Sequence, residues 1–391
     1  MKKTRRKNRK SKSKTKKIMP PKSMKTVPSL RLNVTEIKEL KKTSRSYLPT
    51  FYKDITLLKS FSPEKSIIGN NKLVCKDHEI YSSKDKKCYS WETKKAKEIS
   101  IKNINSKKKF NIKDIVGPKQ VMGNCWLNCF FVIYFISDYG RKFFRHLRIS
   151  MITGKKIDGT PIKKNLQKML FIFNKYIESI IRGQHSNVNK NYALSLDTNE
   201  LIMKIYNEIL NIDPFLIPNV NEAGNPMNFY NGLIKYVNLD SNVRIIDIKS
   251  KLMYELLMGK IKISGTGKFI KKILNSHIII IRIKEGEDDV NLTNKYFEKN
   301  KKLTSFTIND KKFVLDSAIV RDNDGEHFSA YLTVNKKECL FEGYSNTRIK
   351  HFNWKKKINS KESWKTFNSN IYQENYNSFM KGLQYLFYYR V

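Results

Sequence analysis

The chain has 391 residues, with 77 Lys and Arg against 35 Asp and Glu, a formal charge of +42. Its 40% hydrophobic content can bury a sizeable core, and 16 Gly with 10 Pro exclude a low-complexity protein. The longest apolar run, residues 129–136, falls far short of the ~20 residues that cross a bilayer, so no membrane partner is expected.

Eleven Lys and Arg and no acid fall within the first 17 residues. Residues 1–30 hold too little apolar surface to order themselves and read as a disordered basic tail. Such a tail attracts nucleic acid or another acidic partner, and it suits nuclear targeting. The rest of the chain stays strongly basic without it. Residues 31–111 read as a linker, with an amphipathic piece at "VTEIKELKKTSRSYL" and two cysteines, Cys75 and Cys88, around a polar turn within 70–95. Cys75, His78 and Cys88 would start a zinc site, but a structural site takes four ligands and the stretch supplies no fourth. No metal or cofactor is therefore expected. Five cysteines, an odd and sparse set, suggest free thiols in a reducing compartment.

Residues 112–391 read as one α+β domain, helices first and antiparallel strands later. "CWLNCFFVIYFISDYGRKFFRHL", from Cys125, is apolar on nearly every face, as a central buried helix is. Helical patterning returns at 163–182 and 198–211. Strands follow at 277–283, 313–320, 327–334 and 339–344, separated by polar turns such as "RDNDGE" and "NKKE".

Cys125 stands where the buried helix should begin, after the turn-forming "MGN". Unpaired N–H groups at a helix start favour a thiolate, the form of cysteine that attacks carbonyls. Gly123 would let a substrate approach the backbone. Cys129, one turn deeper, reads as core. A nucleophilic cysteine needs an imidazole to take its proton and a group to orient that imidazole. Among six histidines, His327 stands out because it opens a strand after "RDNDG", and Glu342 falls on the next strand of that meander. A strand-end histidine bonded to its turn is the plainer alternative.

"GNCWLNCFF", followed some 200 residues later by "GEHFSAYL" and "LFEGYSN", resembles the cysteine and histidine boxes of the ubiquitin-specific proteases. Gly123-Asn124-Cys125-Trp126-Leu127-Asn128 is similar to the family's string with its threonine missing. "FVLDSAIVRDNDGEHFSAYL" resembles its histidine strand, with Glu326 for Gly and Phe328 for Tyr. "HIIIIRIKEG", "GNPMNFYNGL" and the closing "LQYLFYYRV" resemble further family segments, all in the family's order.

The resemblance implies a papain-like cysteine protease fold over 112–391, its central helix carrying Cys125 packed against an antiparallel sheet carrying His327. It implies Cys125 as nucleophile, His327 as general base and acid, Glu342 as orienting carboxylate, and Gln120 as oxyanion donor. Asn346 or Ser345 is the alternative third member. The substrates implied are ubiquitin or ubiquitin-like conjugates. The chain departs from the family in lacking paired CxxC motifs and in carrying Glu for Asp. Its acids Asp322, Asp324, Glu326 and 285–289 would balance the site's charge, or simply serve turns. An ovarian-tumour-type deubiquitinase would also carry Gly-Asn-Cys, but with an acid where Met122 stands. A viral papain-like processing protease and a catalytically dead, basic virion or nucleic-acid-binding protein are the other readings. The Lys-, Asn- and Ile-rich composition, the tail and a resemblance of 70–95 to a viral two-cysteine adaptor module point to a large DNA virus. That places the protein in host cytoplasm or virion, with the nucleus open through the tail.

Overall fold

The computed structural model describes residues 75–76, 78–105, 111–118, 125–182, 193, 204–205, 207–209, 226–239, 244–260, 271, 275–308, 310–321, 327–342, 349–365 and 376–391. The basic tail, the amphipathic piece at 34–48 and most of 198–211 lie outside them.

A hairpin of β1 (Glu79–Ser82) and β2 (Lys87–Ser90) leads into α1 (Lys94–Asn105). Helices α2 (Cys125–Phe135), α3 (Asp138–Phe143), α4 (Arg145–Thr153), α5 (Lys164–Ile181) and α6 (Pro226–Tyr236) follow. Next come β3 (Ile245–Ile248), α7 (Lys251–Leu257), β4 (Ile278–Ile283), α8 (Asn294–Lys299) and β5 (Ser305–Ile308). The chain continues through β6 (Lys311–Arg321), β7 (Phe328–Val334), β8 (Lys337–Phe341) and β9 (Lys350–His351). It closes with β10 (Trp364–Lys365), β11 (Tyr376–Asn377) and β12 (Gln384–Arg390). The α+β class is as expected. Among the described residues, no helix is long and apolar enough to cross a membrane.

The central sheet has eight strands. Seven run in the order β3-β4-β12-β6-β7-β8-β9, and β5 pairs with β6. The expected meander is β6-β7-β8, antiparallel throughout. The sheet is not wholly antiparallel, because β3 runs parallel to β4. The last strand, β12, inserts between β4 and β6.

Both faces of the sheet are covered, and side-chain parity shows how. On β12, Tyr385, Phe387 and Tyr389 join the core beneath α2, α5 and α6, while Leu386 and Tyr388 join a second core with Trp354 and Phe379. This is the period-2 alternation of a pleated strand. On β6 the parity breaks. Phe313 and Leu315 share the second core with Ala318 and Val320. The register shift opposite Phe387 and Tyr388 leaves Asp316 as the extra residue of a β-bulge, which restores both ends of β6 to the same face.

The long apolar stretch from Cys125 is three helices rather than one. Ser137 ends the first by bonding back to the Ile133 carbonyl at 2.7 Å and caps α3 by accepting from the Gly140 amide at 3.1 Å. Gly140 is needed here, since a Cβ would press into the Ile133 carbonyl. Asp138, just inside α3, accepts from the amides of Asn335 and Lys336 at 2.9 and 2.8 Å. Those two residues form the left-handed turn between β7 and β8, so one carboxylate fastens the helix corner to the meander. All eleven residues of α2 are buried, and Phe130 meets Tyr134, Tyr385 and Phe387 edge-on.

The N-terminal hairpin and α1 pack on α5 through Trp91, Ala96 and Phe171. Here one expectation is overturned: Cys75 and Cys88 are joined in a disulfide rather than free. The hairpin turns the chain back so that their Cα atoms lie 5.7 Å apart, a separation a disulfide spans. Cys125, Cys129 and Cys339 remain as buried free thiols. Glu79 completes the group that Cys75 and Cys88 form, but the joined sulfurs offer no thiolate to a metal.

Candidate active site

Cys125 is the first residue of α2, and α2 lies against β7. The two sulfurs of the helix meet the main chain of one residue of that strand. The main chain of Phe328 hydrogen-bonds the Cys125 sulfur, while Cys129 Sγ donates to the Phe328 carbonyl at 3.3 Å. Phe328 follows His327 directly. The spacing of one helical turn that marks Cys129 as core also lets both thiols reach the same strand residue.

His327 is 5% exposed, and its Nε2 lies 2.9 Å from the main-chain carbonyl of Glu342. A carbonyl only accepts, so Nε2 carries the hydrogen and Nδ1 holds the basic lone pair. The orienting contact to the ring thus comes from the backbone of Glu342, where sequence reasoning assigned the carboxylate. Glu342 itself is 4% exposed, one residue past β8.

Burial sets the charges. It pushes the His327 imidazole down to about 4, against which the Glu342 carbonyl works in the opposite direction. It also raises the Cys125 thiol. Main-chain hydrogen bonds from Phe328, Trp126 and Cys125 itself, together with the positive charge of Arg321, pull the thiol back without overcoming desolvation. The expected thiolate at the helix start is therefore corrected: desolvation of a 6% exposed side chain outweighs the helix-end amides. At neutral pH the pair is a thiol and a neutral imidazole. Cys129 is driven well above the usual thiol range by complete burial, which suits an inert core sulfur.

Arg321 was not singled out from the sequence. It pairs across β6 and β7 with Phe328, which brings its charge toward the Cys125 sulfur. The meander register, once drawn, places it there. The backbone groups of Phe328 and Glu342 carry no sequence signal, because main-chain contacts do not depend on residue type.

Gln120, Gly123, Asn346, Ser345, Asp322, Asp324 and Glu326 lie outside the described residues, as does His185. The acidic run 285–289 follows β4 at the same sheet end as His327, since Ile283 pairs with Gln384 and Gln384 with Val320, which pairs with Ser329. Two of its acids have local partners. Asp288 accepts from the amides of Val290 and Asn291 at 2.9 and 3.0 Å, and Glu287 pairs with Lys295. Of the other histidines, His277 Nδ1 accepts from the Arg244 amide at 3.0 Å, and His146 and His351 are exposed.

No protein-family model matches the chain, and no curated protein matches it.

Proposed function

We propose that the chain is a cysteine peptidase with a papain-like arrangement, cleaving ubiquitin or ubiquitin-like conjugates after the modifier's C-terminus. The observation that carries this reading is the hydrogen bond between the Cys125 sulfur and the main chain of the residue after His327, whose ring is oriented by the Glu342 carbonyl. In the reaction, His327 Nδ1 takes the thiol proton as Cys125 Sγ attacks the scissile carbonyl. The tetrahedral oxyanion is met by the Cys125 amide and the Gln120 side chain. The imidazolium returns the proton to the leaving amine, and a thioester remains. Water, deprotonated by the same ring, then releases the acid and the thiol.

The motif order that resembles the ubiquitin-specific proteases supplies the substrate class. A second reading, a catalytically dead basic scaffold, draws on the raised thiol and its burial. Hydrolysis of a fluorogenic ubiquitin C-terminal amide separates the two. The wild-type chain is expected to turn it over, Cys125→Ala to abolish turnover, and His327→Ala to reduce it by at least ~100-fold. Turnover that survives Cys125→Ala unchanged removes the peptidase reading. Cleavage of unmodified peptides with ubiquitin amide left intact moves it to a processing protease.

A further inference from the structure

A cavity with a volume of about 740 Å³ lies between the β1-β2 hairpin, α1 and α5. We propose that it binds a small molecule carrying several phosphates and one flat apolar group, the chemistry of a nucleoside polyphosphate. The volume falls within the ~300–1,000 Å³ of small-molecule sites.

Its walls are cationic. Lys84, Lys95, Lys102, Lys175 and Arg182 line it. The two acids present, Glu98 and Glu178, are engaged. Glu178 holds the buried Arg148 and lies 3.7 Å from Arg182; Glu98 lies 3.9 Å from Lys94. Lys95 is 3.4 Å from Asp85 and Lys175 donates to the Lys76 carbonyl at 3.0 Å. Lys84 and Lys102 have no ion-pair partner among the described residues, and both are exposed to solvent. The floor adds hydrogen-bond donors. Asn174, 1% exposed, accepts from Arg148 Nε at 3.0 Å through its carbonyl, so its amide NH2 is what it can offer a ligand. Ser179 and Ser100 contribute nearly buried hydroxyls. Donors and positive charge on three sides select an anion with several oxygens.

Ser82, Ser83 and Asn103 add further polar groups. The apolar wall is made by Ile99 and the 41% exposed Tyr81, while Ile80, on the other face of β1, packs with Trp91 and Phe171; Cys75, held by its disulfide to Cys88, also lines the cavity. A bare polyphosphate would leave that wall in contact with its own hydration. A base laid on Tyr81 would cover it and gain stacking.

Calorimetric titration of the full chain with ATP, and separately with inorganic tripolyphosphate, tests this at physiological salt. The expected result is saturable one-to-one ATP binding, tighter than tripolyphosphate. Lys84→Glu with Lys102→Glu should weaken it by about tenfold, at roughly 1 kcal/mol or less for each exposed charge. Both side chains are exposed, so these changes spare the fold. A control pair in the tail, Lys12→Glu with Lys14→Glu, should leave the affinity unchanged. The proposal is overturned if the tail pair accounts for the binding, if the cavity pair binds as the wild type does, if ATP binds no tighter than tripolyphosphate, or if neither ligand saturates.

Discussion

Lowering the pH should remove the share of stability that burial of a neutral His327 contributes. The imidazole ordinarily titrates near 6.5 and is pushed to about 4 in the folded chain. Between those values the unfolded chain takes up a proton that the folded chain refuses, so stability is present above 6.5 and lost as pH falls toward 4. The full difference corresponds to about 3 kcal/mol, at ~1.4 kcal/mol for each tenfold change in proton affinity, and about 2 kcal/mol of it is gone by pH 5. Other buried groups act in neighbouring windows. Asp316, raised to about 7 by burial at the bulge, is protonated in the fold and stabilises it increasingly as pH falls from 7 toward 4. Lys302, lowered to about 7 in its pocket of carbonyls, costs stability mainly between 10 and 7 and changes little below. The comparison must therefore be made between chains differing only at His327. Urea unfolding of the wild type and of His327→Gln, followed at pH 7, 6 and 5, should show the wild type losing about 2 kcal/mol more than the variant across that range. Parallel stability curves for the two chains would show that His327 is not held neutral by burial, and the neutral thiol–imidazole pair would go with it.

Phe130→Ala removes a ring that meets Tyr385 and Phe387 across the α2–β12 interface and Tyr134 within α2, and should cost ~3–5 kcal/mol in equilibrium unfolding; a loss below 1 kcal/mol would mean that the helix is not packed there. Alkylation in denaturant without reductant should modify three cysteines, Cys125, Cys129 and Cys339, and all five only after reduction. Five modified sites before reduction would contradict the Cys75–Cys88 bridge.

Much of the fold was legible because apolar periodicity reports burial. The strand at 277–283 and the β6-β7-β8 meander follow from β-branched runs broken by polar turns, and α5 matches its helical pattern to within a residue at each end. The break after Phe135 was hidden because α2 is apolar on all faces, so its period says nothing about where it stops. Ser137 and Gly140 carried that signal in the cap and the close approach. The insertion of β12 beside β6 depends on long-range pairing that no local pattern encodes. The disulfide depended on two cysteines separated by a turn, a spacing equally compatible with a metal site or two thiols.

At the site, residue types were readable and electrostatics were not. Cys125 at a helix start and His327 at a strand start follow from chain order. The direction of the thiol shift depends on how completely α2 is covered, and the sequence offers only the opposing influence, the helix-end amides. Glu342 illustrates the same limit: its position in the meander was legible, yet the contact to the His327 ring comes from its carbonyl.

The most direct measurement is peptide mapping of the native chain after incubation with ubiquitin bearing a C-terminal propargylamide. A single ubiquitin adduct on the peptide containing Cys125, lost in Cys125→Ala and strongly slowed in His327→Ala, is the predicted result. An unmodified Cys125, or an adduct carried instead by Cys129 or Cys339, would contradict it.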